Sequence, residues 1–167
     1  MKFPTDRDQP TGDILRYILR GHMLDIREFV RFPAIHAVLS SPVSVSPDTA
    51  SATCIKLARE LLLNAVDRIR ANREGFYHRH QGTWLGARNC ARSALHLVGM
   101  ALKCEKAAQL TNSSGYELRR KMLPHDWAEA VELVIDLLNY WSDESTDLKH
   151  LSDILQVLMQ CYEDSRT

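Results

Sequence analysis

A chain of 167 residues corresponds to one domain, long enough to bury about two thirds of its unfolded surface around a single core, so a disulfide scaffold is unnecessary. Its 21 basic and 21 acidic side chains cancel, which excludes the overall positive field of a stand-alone nucleic-acid binder. With 45% hydrophobic residues and only 7 Gly and 6 Pro, the composition also excludes disorder.

Residues 1–12 form a polar lead-in, and a single helical domain is expected over 13–162. Asp13 is a candidate N-cap for a short helix carrying Ile14, Leu15, Ile18 and Leu19, ended or bent at Gly21. A second helix from about Met23 offers Ile26, Phe29 and Val30, and Pro33 should kink or break it before Ile35. SSPVSVSPDTASA, residues 40–52, reads as a flexible Ser/Pro loop. Asp48 or Thr49 then caps a helix whose Ile55, Ala58, Leu62, Ala65, Val66 and Ile69 make one apolar stripe. Over about Thr83 to Glu105, Trp84, Ala91, Leu95, Val98 and Leu102 form a seam, with Asn89, Ser93, His96 and Lys103 off it. A polar loop containing TNSSG follows. Asp126 and Glu129 then make a capping-box pattern at the head of a helix whose Trp127, Ala130, Val131, Val134, Ile135, Leu138 and Trp141 recur every three or four residues. A last helix from about Thr146 presents Leu148, Leu151, Ile154, Leu155, Leu158 and Tyr162. No strand pattern occurs. The expected fold is all-α, an antiparallel bundle of about six amphipathic helices.

Cys54, Cys90, Cys104 and Cys161 contain no CxxC pair and no metal-ligand spacing, so they read as buried or half-buried thiols of an intracellular protein. No metal and no cofactor are expected. MKFPTDRDQP lacks the apolar run of a secretory signal, and no stretch nears the roughly 18 apolar residues of a membrane span, which leaves nucleus or cytoplasm. Arg119, Arg120 and Lys121 form a short basic run of the kind found in nuclear import signals.

Charge is segregated along the chain. Six arginines (68, 70, 73, 79, 88 and 92) stand against Glu74 in the middle, and ten acids stand against Lys149 and Arg166 from His125 onward. The blocks can pair within the bundle or across a homodimer, or the basic one can form a phosphate face. His78 and His80 in HRHQGTW are either turn residues or, in an enzyme, proton carriers near neutral pH. Arg88, four residues after Trp84, falls on the seam, where a cation must pair with an acid such as Glu129 or Glu132 or else anchor a ligand. The candidate ligand-binding residues are Trp84, Arg88 and His96. The candidate catalytic residues, if the protein is an enzyme, are His78, His80 and Arg88.

Three runs carry a family resemblance: REFVRFPAIHAVLSSP (27–42), HRHQGTWLGARNCARSALHLVGMALK (78–103) and LPHDWAEAVELVIDLLNYWSDESTDL (123–148). In this order they resemble the C-terminal regions of fungal zinc-cluster transcription regulators, especially those of secondary-metabolite gene clusters. The six-cysteine zinc module that reads DNA in that family has no counterpart here, so the resemblance implies a helical regulatory or ligand-binding module without direct specific DNA binding. Its partner would be an apolar small molecule or a protein. The alternative is a regulator fragment reused as a small cofactor-free biosynthetic enzyme, a cyclase or isomerase. It would hold an apolar, carbonyl-containing metabolite between helices, with Arg88 polarising the carbonyl and His78 or His80 moving a proton.

Overall fold

The computed structural model describes residues 14–42, 52–77, 79, 82–111 and 114–166. The lead-in 1–12, the cap candidates Asp13, Asp48 and Thr49, residues 43–51 of the Ser/Pro loop, and both His78 and His80 lie outside the described residues. Those described form six α-helices: α1 (Ile14–Ser40), α2 (Ala52–Asn72), α3 (Thr83–Thr111), α4 (Ser114–Met122), α5 (Trp127–Tyr140) and α6 (Thr146–Asp164). A single 3-10 turn, Arg73–Gly75, follows α2. The chain is an all-α helical bundle, as the periodicity predicts. Consecutive pairs run antiparallel, since Arg20 reaches Ala71 while Arg31 reaches Glu60, and Ser152 meets Asn139 while Tyr162 meets Trp127.

Three expectations about the helices are corrected. The two short helices expected before residue 40 are one, continuous through Gly21 and Pro33. Proline removes only its own N–H, and Pro33 is exposed. Glu28 and Arg31 before it, and Ala34, Ile35 and Val38 after it, are seated on the same α2 and α3 surface, so tertiary packing holds both halves in register. The second correction is α4, which begins inside the expected TNSSG loop. Nine residues do not sustain a helix alone. This one is held by buried Met122 and by Arg119, which donates to Glu105 at 3.0 Å and lies 5.6 Å over the Tyr162 ring. The third concerns the cap of α5. Asp126 makes no capping bond, and with Glu129 it turns to Arg70 of α2.

Helix α3 is the axis of the bundle, in contact with all five other helices. Its buried face takes in Ala91 and Val98 of the expected seam together with Cys90, Ala94, Leu97 and Ala101, whereas Trp84, Leu95 and Leu102 of that seam are only partly buried. Small side chains let neighbours approach the axis closely. On α2 the buried set is the predicted stripe plus Leu61, Asn64 and Arg68, and on α5 it is the predicted stripe plus Leu137, with Ile135 only partly covered. Trp141 closes one end of the core, donating Nε1–H to the Phe76 carbonyl at 2.8 Å and meeting Trp84 edge-on at 5.1 Å. Trp127 closes the other end against Tyr162 at 5.0 Å.

Cys90 and Cys104 are buried, and burial pushes each thiol up to about 12. Cys54 is half-buried, but Cys161 is exposed on α6, contrary to the expectation for all four.

Gly21 lies inside a helix, and a Cβ placed there meets nothing within 4 Å. Gly21→Ala is therefore expected to raise stability by about 0.5–1 kcal/mol in denaturant titration. A loss of stability would mean that α1 is broken there in solution.

Candidate functional site

The sequence reading places Ile26, Phe29 and Val30 toward the core. The structure turns them outward and buries Leu24, Glu28, Ile35 and Val38 of α1 instead. A carboxylate on the inner face is costly to desolvate unless it is paired, and Glu28 is paired on every side. Arg68 of α2, itself buried, brings Nη2 to 2.7 Å from Oε2 of Glu28 and pairs through Nη1 with Asp25. From α3, Arg92 reaches Glu28 with Nε at 3.2 Å and Nη2 at 3.3 Å, and His96 Nδ1 stands 3.4 Å from Glu28 Oε1. Asn89 donates to Asp25 at 3.2 Å, and Asn64 of α2 donates to the Leu24 carbonyl at 3.1 Å.

Burial alone would push the Glu28 carboxyl up. The adjacent His96 imidazole and the Arg92 hydrogen bonds, with the Arg68 and Arg92 charges, outweigh it and hold the group at about 2. Two further contacts fasten the ends of the α1/α2 pair. Arg20 Nη2 caps the last turn of α2 at the Ala71 carbonyl, 2.9 Å away, and Lys103 Nζ caps α1 at the Leu39 carbonyl, 3.2 Å away, and at Ser41. Burial pulls the Lys103 ammonium below its ordinary value.

This junction is a clamp. Glu28 is ionised and its oxygens are occupied by three cationic or imidazole groups. Ser93 Oγ, one turn before His96, is buried with no hydrogen-bond partner among the described residues, so no nucleophile is joined to the imidazole.

Among the described residues, Trp84, Arg88 and His96 engage three different partners. Trp84 packs on Trp141, and His96 lies under Phe32, ring centroids 5.6 Å apart. Arg88 is off the seam, 48% exposed, with Nε 2.7 Å from Asp147 of α6 and not near a carboxylate of α5. That bond, with one from Ser145, holds the Asp147 carboxyl at about 2. The basic middle and acidic C-terminal blocks are joined within the chain, through Arg70 to Asp126 and Glu129, Arg79 to Glu144, and Arg88 to Asp147. A shallow cleft of about 360 Å³ opens beside Leu39, Pro42, Leu102, Lys103 and Lys106. Among the described residues no group of three or more His, Cys, Asp or Glu side chains could hold a metal ion, and no helix is long and apolar enough to cross a membrane.

Sequence reasoning missed the outer face of α1. Leu19, Met23, Ile26 and Val30 follow one another at three- and four-residue steps and stay exposed beside Phe29, which is 82% exposed. Glu28 carried the signal. Its charge lies on the face shared by Leu24, Ile35 and Val38, and Arg68 lies within the apolar stripe of α2, between Val66 and Ile69.

Comparison with protein-family models, with curated proteins and with solved structures returns no match.

Arg68→Met leaves Glu28 buried with part of its compensation gone, and a loss of about 3–5 kcal/mol is expected. Arg88→Met, at an exposed pair, should leave the melting temperature almost unchanged. Equal effects of the two substitutions in thermal melts would contradict this assignment of buried and surface pairs.

The folded Glu28 carboxyl titrates near 2 against an ordinary 4.5. The stability it contributes, roughly 3 kcal/mol, is therefore complete above about pH 4.5 and is lost as pH falls toward 2. Glu28→Gln should be less stable at neutral pH and show a flatter acid limb in urea titrations between pH 5 and 2. A variant whose acid limb parallels that of the original chain would refute the role given to this carboxylate.

Proposed function

We infer that the protein is a non-enzymatic regulatory module that works by presenting the outer face of α1 to another polypeptide. The observation that carries this reading is the inversion of α1: the charged face is locked inside by Arg68 and Arg92, and the stripe Leu19, Met23, Ile26 and Val30, with Phe29 beside it, is left in water. Contiguous exposed apolar area of this kind on a soluble domain marks a contact surface. The resemblance to the C-terminal regions of fungal zinc-cluster regulators supports a regulatory setting and action in the nucleus. The enzyme alternative has less to draw on, because Arg88 is committed to Asp147 at the surface and His96 to Glu28 in the clamp.

The test is to fuse the chain to an unrelated DNA-binding domain and measure expression of a reporter carrying its site. A change in expression that disappears with Phe29→Asp, and persists with the surface control Arg88→Met, is the expected result. A fusion that leaves the reporter unaffected, or an effect indifferent to Phe29→Asp, would overturn the reading.

A further inference from the structure

We propose that the partner of the α1 face is a second copy of this chain, joined through an antiparallel α1–α1 pair centred on Ile26. The proposal rests on reading that face as a contact surface. It adds the identity and direction of what covers it.

The first support is the symmetry of the stripe. Measured from Ile26, Met23 stands three residues before and Phe29 three after, His22 four before and Val30 four after, Leu19 seven before and Pro33 seven after. All seven positions are exposed. Steps of three, four and seven residues are those of a helix–helix seam. A two-fold axis through Ile26 sends each position onto its mirror, so Met23 meets Phe29 of the other copy, His22 meets Val30, and Leu19 meets Pro33. An isologous interface requires this self-complementarity. A parallel pair would instead stack Phe29 on Phe29 and His22 on His22.

Area and position are the second support. Leu19, Met23, Ile26, Phe29 and Val30 leave on the order of 500 Å² uncovered per copy, so a pair buries on the order of 1,000 Å², the lower bound of a specific interface. Helix α1 contacts α2 extensively and α3 slightly, with no contact to α5 or α6 of comparable extent, so it lies at the edge of the bundle. The clamp at Glu28 and the cap at Lys103 hold it there as a rigid rod, which lowers the ordering cost of association.

Charge gives the pairing a signature. Arg27 is exposed and one residue from the two-fold axis, so in the antiparallel pair it lies beside Arg27 of the other copy. Added salt screens that repulsion and tightens the dimer, whereas an acidic partner docked on Arg27 would be weakened by salt.

The experiment is light scattering coupled to gel filtration across a concentration series, on the full chain. The expected result is a mass rising from 19.1 kDa toward twice that value, with a dissociation constant of about 10 µM, given the small area. The dimer should tighten as salt increases, and Ile26→Asp should weaken it by roughly a hundredfold with an unchanged melting curve, since residue 26 is in water in the monomer. Direction is read by mild oxidation in a Cys161→Ser background. Ile26→Cys should link to itself, whereas Leu19→Cys should not, since its copy lies about 21 Å away along the axis.

A monomer at several hundred micromolar overturns the proposal, as does a dimer indifferent to Ile26→Asp. Self-linking of Leu19→Cys as efficient as that of Ile26→Cys would replace the antiparallel pair with a parallel one. If the chain stays monomeric but Phe29→Asp still abolishes the reporter effect, self-pairing fails and the α1 face belongs to a different protein. If it is dimeric and the reporter never responds, the pairing holds and the regulatory reading fails.

Discussion

The carboxylate of Glu28, buried where α1, α2 and α3 meet, constrains the rest of the structure. A charge removed from water must be met by opposite charge at close range, and here Arg68 approaches from α2 and Arg92 with His96 from α3. Those contacts require three helices to present particular residues to one point. They therefore fix the rotation of α1 about its own axis. Apolar packing alone would favour the opposite rotation, with Ile26, Phe29 and Val30 inward. The inner face of α1 carries fewer large apolar groups than its outer one, and the ion pairs decide between them.

From that orientation follows a division of labour among the charged residues. Arg68 and Arg92 of the basic middle segment serve the clamp, while Arg70, Arg79 and Arg88 tie α2, the turn after it and α3 to the acidic C-terminal part. Arg68 is inaccessible and acts in a low dielectric, where loss of one partner leaves an uncompensated charge, while Arg92 reaches the same carboxylate from a half-exposed position. The second group is wet and screened, and contributes less. One basic block in sequence is thus paired with two different sets of acids in space.

Three side chains with chemical potential are held in the core. His96 is enclosed by Phe32 and Glu28, and the Cys90 and Cys104 thiols are kept protonated by burial. Exposed to other molecules, by contrast, is the apolar stripe on an edge helix whose backbone is pinned at both ends. A rigid, preformed helix face suits recognition of another helix, because its ordering has already been met by folding.

The sequence by itself determined the class of fold and the inward faces of α2 and α5, since a one-sided 3.6-residue apolar period with large side chains has only one face to bury. Ile55 to Ile69 and Trp127 to Trp141 were legible for that reason. The tertiary structure alone decided three further matters. Residues 14–40 are one helix because contacts on both sides of Pro33 outweigh a missing backbone hydrogen bond. The buried face of α3 is centred on Cys90, Ala94, Leu97 and Ala101, mostly small side chains that are overshadowed in sequence by Trp84 and Leu95. The inner face of α1 was marked in sequence only by single charges, Glu28 beside Leu24 and Arg68 within the stripe of α2, and that these two residues, 40 positions apart, pair with each other is decided by the tertiary structure.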